Sequence, residues 1–387
     1  MDLGNCRRLV VKLGTRLVAG SHEGVNTELL DDLGRQAARL LARRKQLIIV
    51  TSGAVHLGRR VLKRPQRREA LAFRQAAASI GQPELMRHYS QAFQAHGVVV
   101  AQMLLTMGDI AERERYLHTR ETFESLLRHN VVPIVNENDS VSEPSVTFGE
   151  NDKLAAVIAA KVQADLLVFL LDEAGLYTSN PAEDPSAALI RAIEPTDVDF
   201  LKYAAGSGGP ESMGGMATKC IAARIAVECG IPVAMIDGRE PGALLRRLEG
   251  EELGTLFRPA RRRSSRKSWL ASATAPGGAI TVDDGARRAL LAPGGRSLLP
   301  SGVTGVEGAF AAGVVLAIRD STGQEIARGL TNFASAEIER VAGAQTHEVA
   351  GILGRDTAPE VIHRDNLVLS PLLSTEAPPT GEPDARA

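Results

Sequence analysis

The stretch Asp152–Gly175, DKLAAVIAAKVQADLLVFLLDEAG, decides the fold class. Its first part, Asp152–Ala164, carries apolar residues at three- and four-residue spacing, the periodicity of a helix with a buried face. Its second, Leu166–Leu171, is apolar throughout, as a strand covered on both faces must be. A helix feeding a fully apolar strand is the repeating unit of a parallel sheet sandwiched between helices. Outward from it the same alternation recurs. Strands are expected at Leu9–Leu13, Leu47–Thr51, Gly97–Leu104, Val131–Asn136 and Ile231–Ile236, and helices at Thr27–Arg44, Arg68–Ala95, Tyr116–His129 and Thr218–Cys229. The expected class is therefore α/β, with an open, mostly parallel sheet running from Leu9 to about Gly238 and a first domain over residues 1–257.

Beyond Leu256 the pattern changes. Arg258, Arg261, Arg262, Arg263, Arg266 and Lys267 crowd together, which reads as a solvated basic linker over residues 258–276. Short runs at Ala279–Val282, Ser297–Leu299, Val314–Arg319 and Glu325–Leu330, divided by glycine-rich turns, then predict a small, mainly-β domain over 277–365. Ser370–Ala387 holds Pro371, Pro378, Pro379 and Pro383, so a disordered tail is expected over 366–387.

Composition narrows the function. The 387 residues carry 45 Lys+Arg against 46 Asp+Glu, so no global field favours nucleic acid or an anionic membrane. Any polyanion must be held locally. Residues 277–365 contain 8 Arg and no Lys against 11 Asp+Glu, a balance of −3, whereas RNA binding through phosphates calls for a basic surface. The three cysteines, Cys6, Cys220 and Cys229, form no C-x-x-C pair and imply neither a disulfide framework nor a zinc site, so a reducing cytoplasm is expected. Arg7 and Arg8 precede only a short apolar run, unlike a secretory leader, and no segment approaches the roughly 20 apolar residues needed to span a bilayer. Neither G-x-x-x-x-G-K-[ST] nor G-x-G-x-x-G nor H-E-x-x-H occurs, which removes the usual fingerprints of P-loop, dinucleotide and zinc-hydrolase chemistry.

Ligands of open parallel sheets bind beyond the carboxyl ends of the strands, so the residues leaving each strand are the candidates. Lys12 ends the first strand just before Gly14. The second leads into Thr51-Ser52-Gly53-Ala54, and the fourth into Asn136-Glu137-Asn138-Asp139. Gly149-Glu150-Asn151-Asp152 opens the central helix, where Asn151 or Asp152 suits an N-cap and a bound anion alike. Asp172 follows the most apolar strand. Met213-Gly214-Gly215-Met216-Ala217-Thr218-Lys219 opens another helix with a glycine pair ahead of a lysine. Two lysines, backbone-exposing glycines and scattered carboxylates are the inventory of phosphoryl transfer by positioning and charge neutralisation.

These islands occur in an order that resembles the glutamate 5-kinase family of the amino-acid kinase superfamily: Val11–Thr15, Thr51–Ala54, Asn136–Asp139, Gly149–Asp152, Gly175–Thr178 and Gly214–Lys219. Gln102–Thr106 and Glu112–Tyr116 are similar to the same family, while Ile280–Ala286 and Ser297–Pro300 resemble its C-terminal PUA domain. The resemblance implies the amino-acid kinase fold and phosphorylation of the γ-carboxylate of L-glutamate by ATP, the first step of proline synthesis. It implies Lys12, Lys219 and Asp152 as catalytic residues, with Lys12, Leu171, Asp172 and Met213–Lys219 (Met213, Gly214, Gly215, Met216, Ala217, Thr218 and Lys219) at the nucleotide. Ser52, Asp139 and Asn151 would hold glutamate. It further implies Mg²⁺ arriving with ATP rather than in a protein cage, proline as feedback inhibitor, a homo-oligomer (dimer or tetramer) and a glutamyl phosphate reductase as partner. Leu171 and Met213 stand where the family commonly has threonine. The competing readings are a superfamily kinase acting on acetylglutamate, aspartate, carbamate or UMP, and an RNA-binding protein acting through its PUA domain.

Overall fold

The computed structural model describes residues 2–19, 24–62, 71–111, 113–141, 150–197, 200–205, 213–259, 276–292, 296–355 and 359–369. The chain divides into two compact units, parted at about residue 265. In the first, eight strands form one sheet: β1 (Arg8–Leu13), β2 (Gln46–Val50), β3 (Val100–Leu105), β4 (Val132–Glu137), β5 (Leu166–Leu171), β6 (Ala192–Ile193), β7 (Val233–Asp237) and β8 (Thr255–Phe257). Their spatial order is β3-β4-β2-β1-β5-β7-β8-β6, parallel except for the antiparallel β7–β8 pair. The six strands expected from sequence all form. Short β6 and β8 escape the sequence reading because two- and three-residue runs carry no measurable alternation.

Among the described residues ten helices accompany this sheet: α1 (Thr15–Ala19), α2 (Thr27–Ala42), α3 (Ala54–Val61), α4 (Leu71–Gln94), α5 (Met107–Ala111), α6 (Arg113–Arg128), α7 (Glu150–Lys161), α8 (Leu201–Ala205), α9 (Met213–Glu228) and α10 (Ala243–Leu248). Leu9, Val11 and Leu13 of β1 join Leu30, Leu33, Leu85, Tyr89 and Phe93 in one buried core, so α2 and α4 lie on that face. Side chains alternate along a strand. Val10 and Lys12 therefore turn to the other face, where α7 packs on β1 and α9 packs on α7. No helix among the described residues is long and apolar enough to cross a membrane.

Two glycines bring α3 and α4 into backbone contact. A Cβ at Gly58 would stand 1.7 Å from the Ala77 carbonyl oxygen, and one at Gly81 1.9 Å from that of Ala54. Gly53, at φ 113°, lets the chain swing from β2 into α3 through a left-handed conformation that a side chain would oppose.

The second unit holds a sheet ordered β10-β9-β11-β12-β13, built from β9 (Ala279–Val282), β10 (Val303–Glu307), β11 (Val315–Arg319), β12 (Glu325–Leu330) and β13 (Leu367–Leu369). Among the described residues three α-helices, Asp284–Leu291, Ser335–Val341 and Val349–Leu353, accompany it. Two expectations are corrected. Ser297–Leu299 is no strand; it contributes a single bridge, Leu298 to Ile362. The expected tail from residue 366 starts too early, because Asn366 closes a 3₁₀ turn and Leu367–Leu369 pairs with β12, burying Leu367 and Val368. A three-residue strand gains its stability from the neighbouring strand, which sequence periodicity does not register. Residues 370–387 and most of the basic stretch, 260–275, lie outside the described residues.

Replacing Gly58 by alanine should force α3 and α4 apart and cost about 1–3 kcal/mol of overpacking. Chemical denaturation should show a lowered midpoint, and an unchanged midpoint would contradict the close approach.

Candidate active site

Lys12 is the second-last residue of β1 and level with Val50 of β2 and Phe169 of β5. Its side chain, on the α7 face, is nearly inaccessible, with the residue 5% exposed. An ammonium so placed requires a partner. Asp152, in the first turn of α7 and 3% exposed, supplies it by direct contact of Oδ1 with Lys12 Nζ. The position also sets the carboxylate at the positive end of the α7 dipole.

The same carboxylate reaches α9. Thr218 Oγ1 donates to Asp152 Oδ2 at 2.8 Å, and Lys219 Nζ lies 3.6 Å from that oxygen while donating to the Gly215 carbonyl at 2.8 Å. Burial alone would raise the Asp152 pKa. The charges of Lys12 and Lys219, with hydrogen bonds from Lys12 and Thr218, outweigh it and hold the carboxyl below its usual range. Burial lowers the pKa of Lys12; Asp152 opposes the shift and the Lys219 charge adds to it. Two ammonium groups thus share one carboxylate, and the fully ionised trio carries a net positive charge.

A second cluster forms beside the first. Asn151 Nδ2 donates to Ser52 Oγ at 3.0 Å and to Asn136 Oδ1 at 3.1 Å, and the Glu137 backbone N–H donates to Asn151 Oδ1 at 3.2 Å. Asn136 Nδ2 donates to Gln82 Oε1 at 2.9 Å, deep in the molecule. Asp139 sits half-buried in the turn that follows β4. At the exit of β5, Asp172 Oδ2 faces Arg16 Nη1 at 3.4 Å. Burial, then the Asp172 charge, raise the pKa of neighbouring Glu173 against the opposing pull of Arg16, Lys219 and Arg239.

The structure gathers Lys12, Asp152, Thr218 and Lys219 at one point, and Ser52 and Asn151 at another, joined through the adjacent residues Asn151 and Asp152. Leu171 is buried as the last residue of β5, its carbonyl accepting from the Gly238 N–H at 2.8 Å. Met213 to Lys219, expected to open a helix whose periodic part starts at Thr218, already form the first two turns of α9. The glycine pair costs a helix about 1 kcal/mol per residue, and the packing of α9, which buries Ala222, Ala223 and Ala226, overrides it. Sequence reading marks Asn136 only as one of a polar run and passes over Gln82 and Arg16. The available signal for Gln82 is a glutamine beside Gly81 on an alanine-rich helix.

Residues 7–237 match the amino acid kinase family model, and residues 278–353 match the PUA domain model. Glutamate 5-kinase of Citrifermentans bemidjiense is 43% identical over 95% of this chain and 98% of that protein. The enzyme of Azoarcus sp. is 44% identical over 94% and 98%, and that of Geobacter sulfurreducens 43% over 95% and 98%. This chain belongs to the glutamate 5-kinase family. Glutamate 5-kinases are amino-acid kinases that carry out ATP-dependent phosphotransfer, and the family's kinase fold followed by a PUA domain is the architecture found here.

Exchange of Asp152 for asparagine should leave Lys12 buried without its counter-charge and cost about 3–5 kcal/mol at pH 7. Because the folded pKa of Asp152 lies below the unfolded one, its contribution is complete above the unfolded value of about 3.9 and fades as pH falls through the folded value. Denaturation midpoints of the two proteins should therefore converge in acid. A constant gap would show that the ion pair is not its source.

Proposed function

We propose that this protein transfers the γ-phosphoryl group of ATP to the γ-carboxylate of L-glutamate, giving L-glutamyl 5-phosphate and ADP, the first step of proline biosynthesis. The observation that carries the reading is the convergence of Lys12 and Lys219, more than 200 residues apart in sequence, on the single buried carboxylate of Asp152. A carboxylate with a pKa near 4.3 is already an anionic nucleophile at neutral pH, so no general base is required. The barrier is repulsion between this anion and the phosphates. A preorganised cluster of net positive charge relieves it where charge builds on the transferred group.

In this reading a glutamate carboxylate oxygen forms a bond to the γ-phosphorus as the bond to the β,γ-bridging oxygen breaks, and ADP leaves with that electron pair. Lys12 contacts the phosphates, Lys219 follows the transferring group, and Asp152 fixes both ammonium groups in place. Leu171, Asp172 and the start of α9 face the nucleotide; a Cβ at Gly215 would meet nothing within 4 Å among the described residues, which leaves the backbone there open to a phosphate. Ser52, Asn151 and Asp139 bind glutamate, with Asp139 suited to the α-ammonium.

No group of three or more His, Cys, Asp or Glu side chains able to hold a metal gathers among the described residues, and Mg²⁺ is ordinarily held largely by substrate phosphates. Bound in that way, Mg²⁺ neutralises phosphate charge. The same reading assigns catalysis to residues 1–257, carries the cytoplasm as location, proline as feedback inhibitor, a dimer or tetramer as assembly, and a glutamyl phosphate reductase as the consumer of the labile acyl phosphate. Cys6, Cys220 and Cys229 are buried and form no disulfide among the described residues, which suits a reducing compartment.

Glutamate-dependent ADP release, with hydroxamate trapping of the acyl phosphate, should be robust in the wild type. It should fall by about 10²–10³ in kcat for Lys219→Ala, the usual effect of removing one transition-state charge stabiliser. Turnover confined to acetylglutamate, aspartate, carbamate or UMP would overturn the assignment.

A further inference from the structure

The amide side chains behind Ser52 and Asn151 form one hydrogen-bonded series whose polarity is fixed by the main chain. The backbone N–H of Glu137 donates both to Asn136 Oδ1 at 3.0 Å and to Asn151 Oδ1 at 3.2 Å. A backbone N–H can only donate, so both oxygens must face it. Neither asparagine can be flipped without setting two donors against each other. With its oxygen so placed, Asn136 turns its Nδ2 to Gln82 Oε1 at 2.9 Å, and Gln82 in turn presents its Nε2 to Gln102 Oε1 at 2.9 Å. Asn151 spends its Nδ2 on Asn136 Oδ1 and on Ser52 Oγ, at 3.1 and 3.0 Å. Ser52 Oγ is consequently an acceptor toward the protein, and its hydroxyl hydrogen remains for another partner. A hydroxyl held in that state is a donor ready for an anionic carboxylate.

We propose that Gln82 is a positioning residue for the acceptor substrate, holding Asn136 and, through it, Asn151 in the orientation that turns the Ser52 hydroxyl into a carboxylate donor. This rests on the reading of Ser52 and Asn151 as glutamate-binding residues. Gln82 is buried on α4, and Asn136 is 1% exposed at the end of β4, so water does not readily substitute for the missing partner. The contact of α3 with α4 at Gly58 and Gly81 places Gln82, the next residue, at this depth. Gln102, by contrast, is exposed and can rotate.

The asymmetry between the two ends of Gln82 supplies the test. Gln82→Leu removes the acceptor for Asn136, whereas Gln82→Glu keeps that acceptor and loses only a donor, to which an exposed Gln102 can adapt by turning its own Nε2 toward the carboxylate. With the full-length protein, Gln82→Leu should raise the KM for L-glutamate about tenfold, the scale of one hydrogen bond to a charged group. It should leave the KM for ATP and kcat within about twofold, and Gln82→Glu should recover most of the loss. An unchanged glutamate KM in Gln82→Leu, a parallel rise in the ATP KM, or a glutamate variant as impaired as the leucine variant would each overturn the proposal. Absence of glutamate turnover in the wild type would instead strike the functional reading itself, so the two failures are distinguishable.

Discussion

One buried carboxylate governs the first unit. Asp152 meets Lys12 from the sheet and Lys219 from α9, so three segments far apart in sequence are tied at the carboxyl ends of the strands. Burying a charge is expensive, and a buried ion pair is a weak source of net stability. Its value here is positional. With Lys12 almost wholly shielded, the arrangement that compensates its charge is one that also brings a second ammonium group, that of Lys219, to the same carboxylate.

The alternation of side chains along β1 is what makes this arrangement possible. Leu9, Val11 and Leu13 commit one face of the strand to the core with α2 and α4, which leaves Lys12 to the face occupied by α7. Adjacent positions on α7 then serve two clusters. Asp152 joins the lysines, while Asn151 turns to Ser52 and the amides beyond it. A single helix start thereby couples the lysine cluster to the amide cluster through adjacent residues.

The second unit follows different physics. Several of its arginines are matched with carboxylates nearby, Arg319 with Glu307 at 2.6 Å, Arg355 with Glu337 at 2.7 Å and Arg328 with Glu325 at 2.8 Å. Such exposed or half-exposed pairs contribute little stability. The unit depends on its apolar core around Ile280, Leu316, Ile318 and Phe333. Its last strand, Leu367–Leu369, belongs to that core although the sequence around it reads as the onset of a tail.

The six principal strands and the alternating helices were determined by the sequence itself, because fully apolar runs such as Leu166–Leu171 and helical spacing such as that of Asp152–Ala164 leave few other solutions. Lys12, Asp152 and Lys219 were legible as candidates for a related reason: charged groups at strand exits and helix starts stand out against apolar surroundings. Tertiary structure alone decided that they meet, that α9 already begins at Met213, and that Gln82 accepts a hydrogen bond from Asn136 behind Ser52 and Asn151. A hydrogen bond between residues 54 positions apart leaves no periodic trace in either segment. The polarity of an amide is set by the backbone N–H it faces, which exists as a neighbour only once the chain has folded.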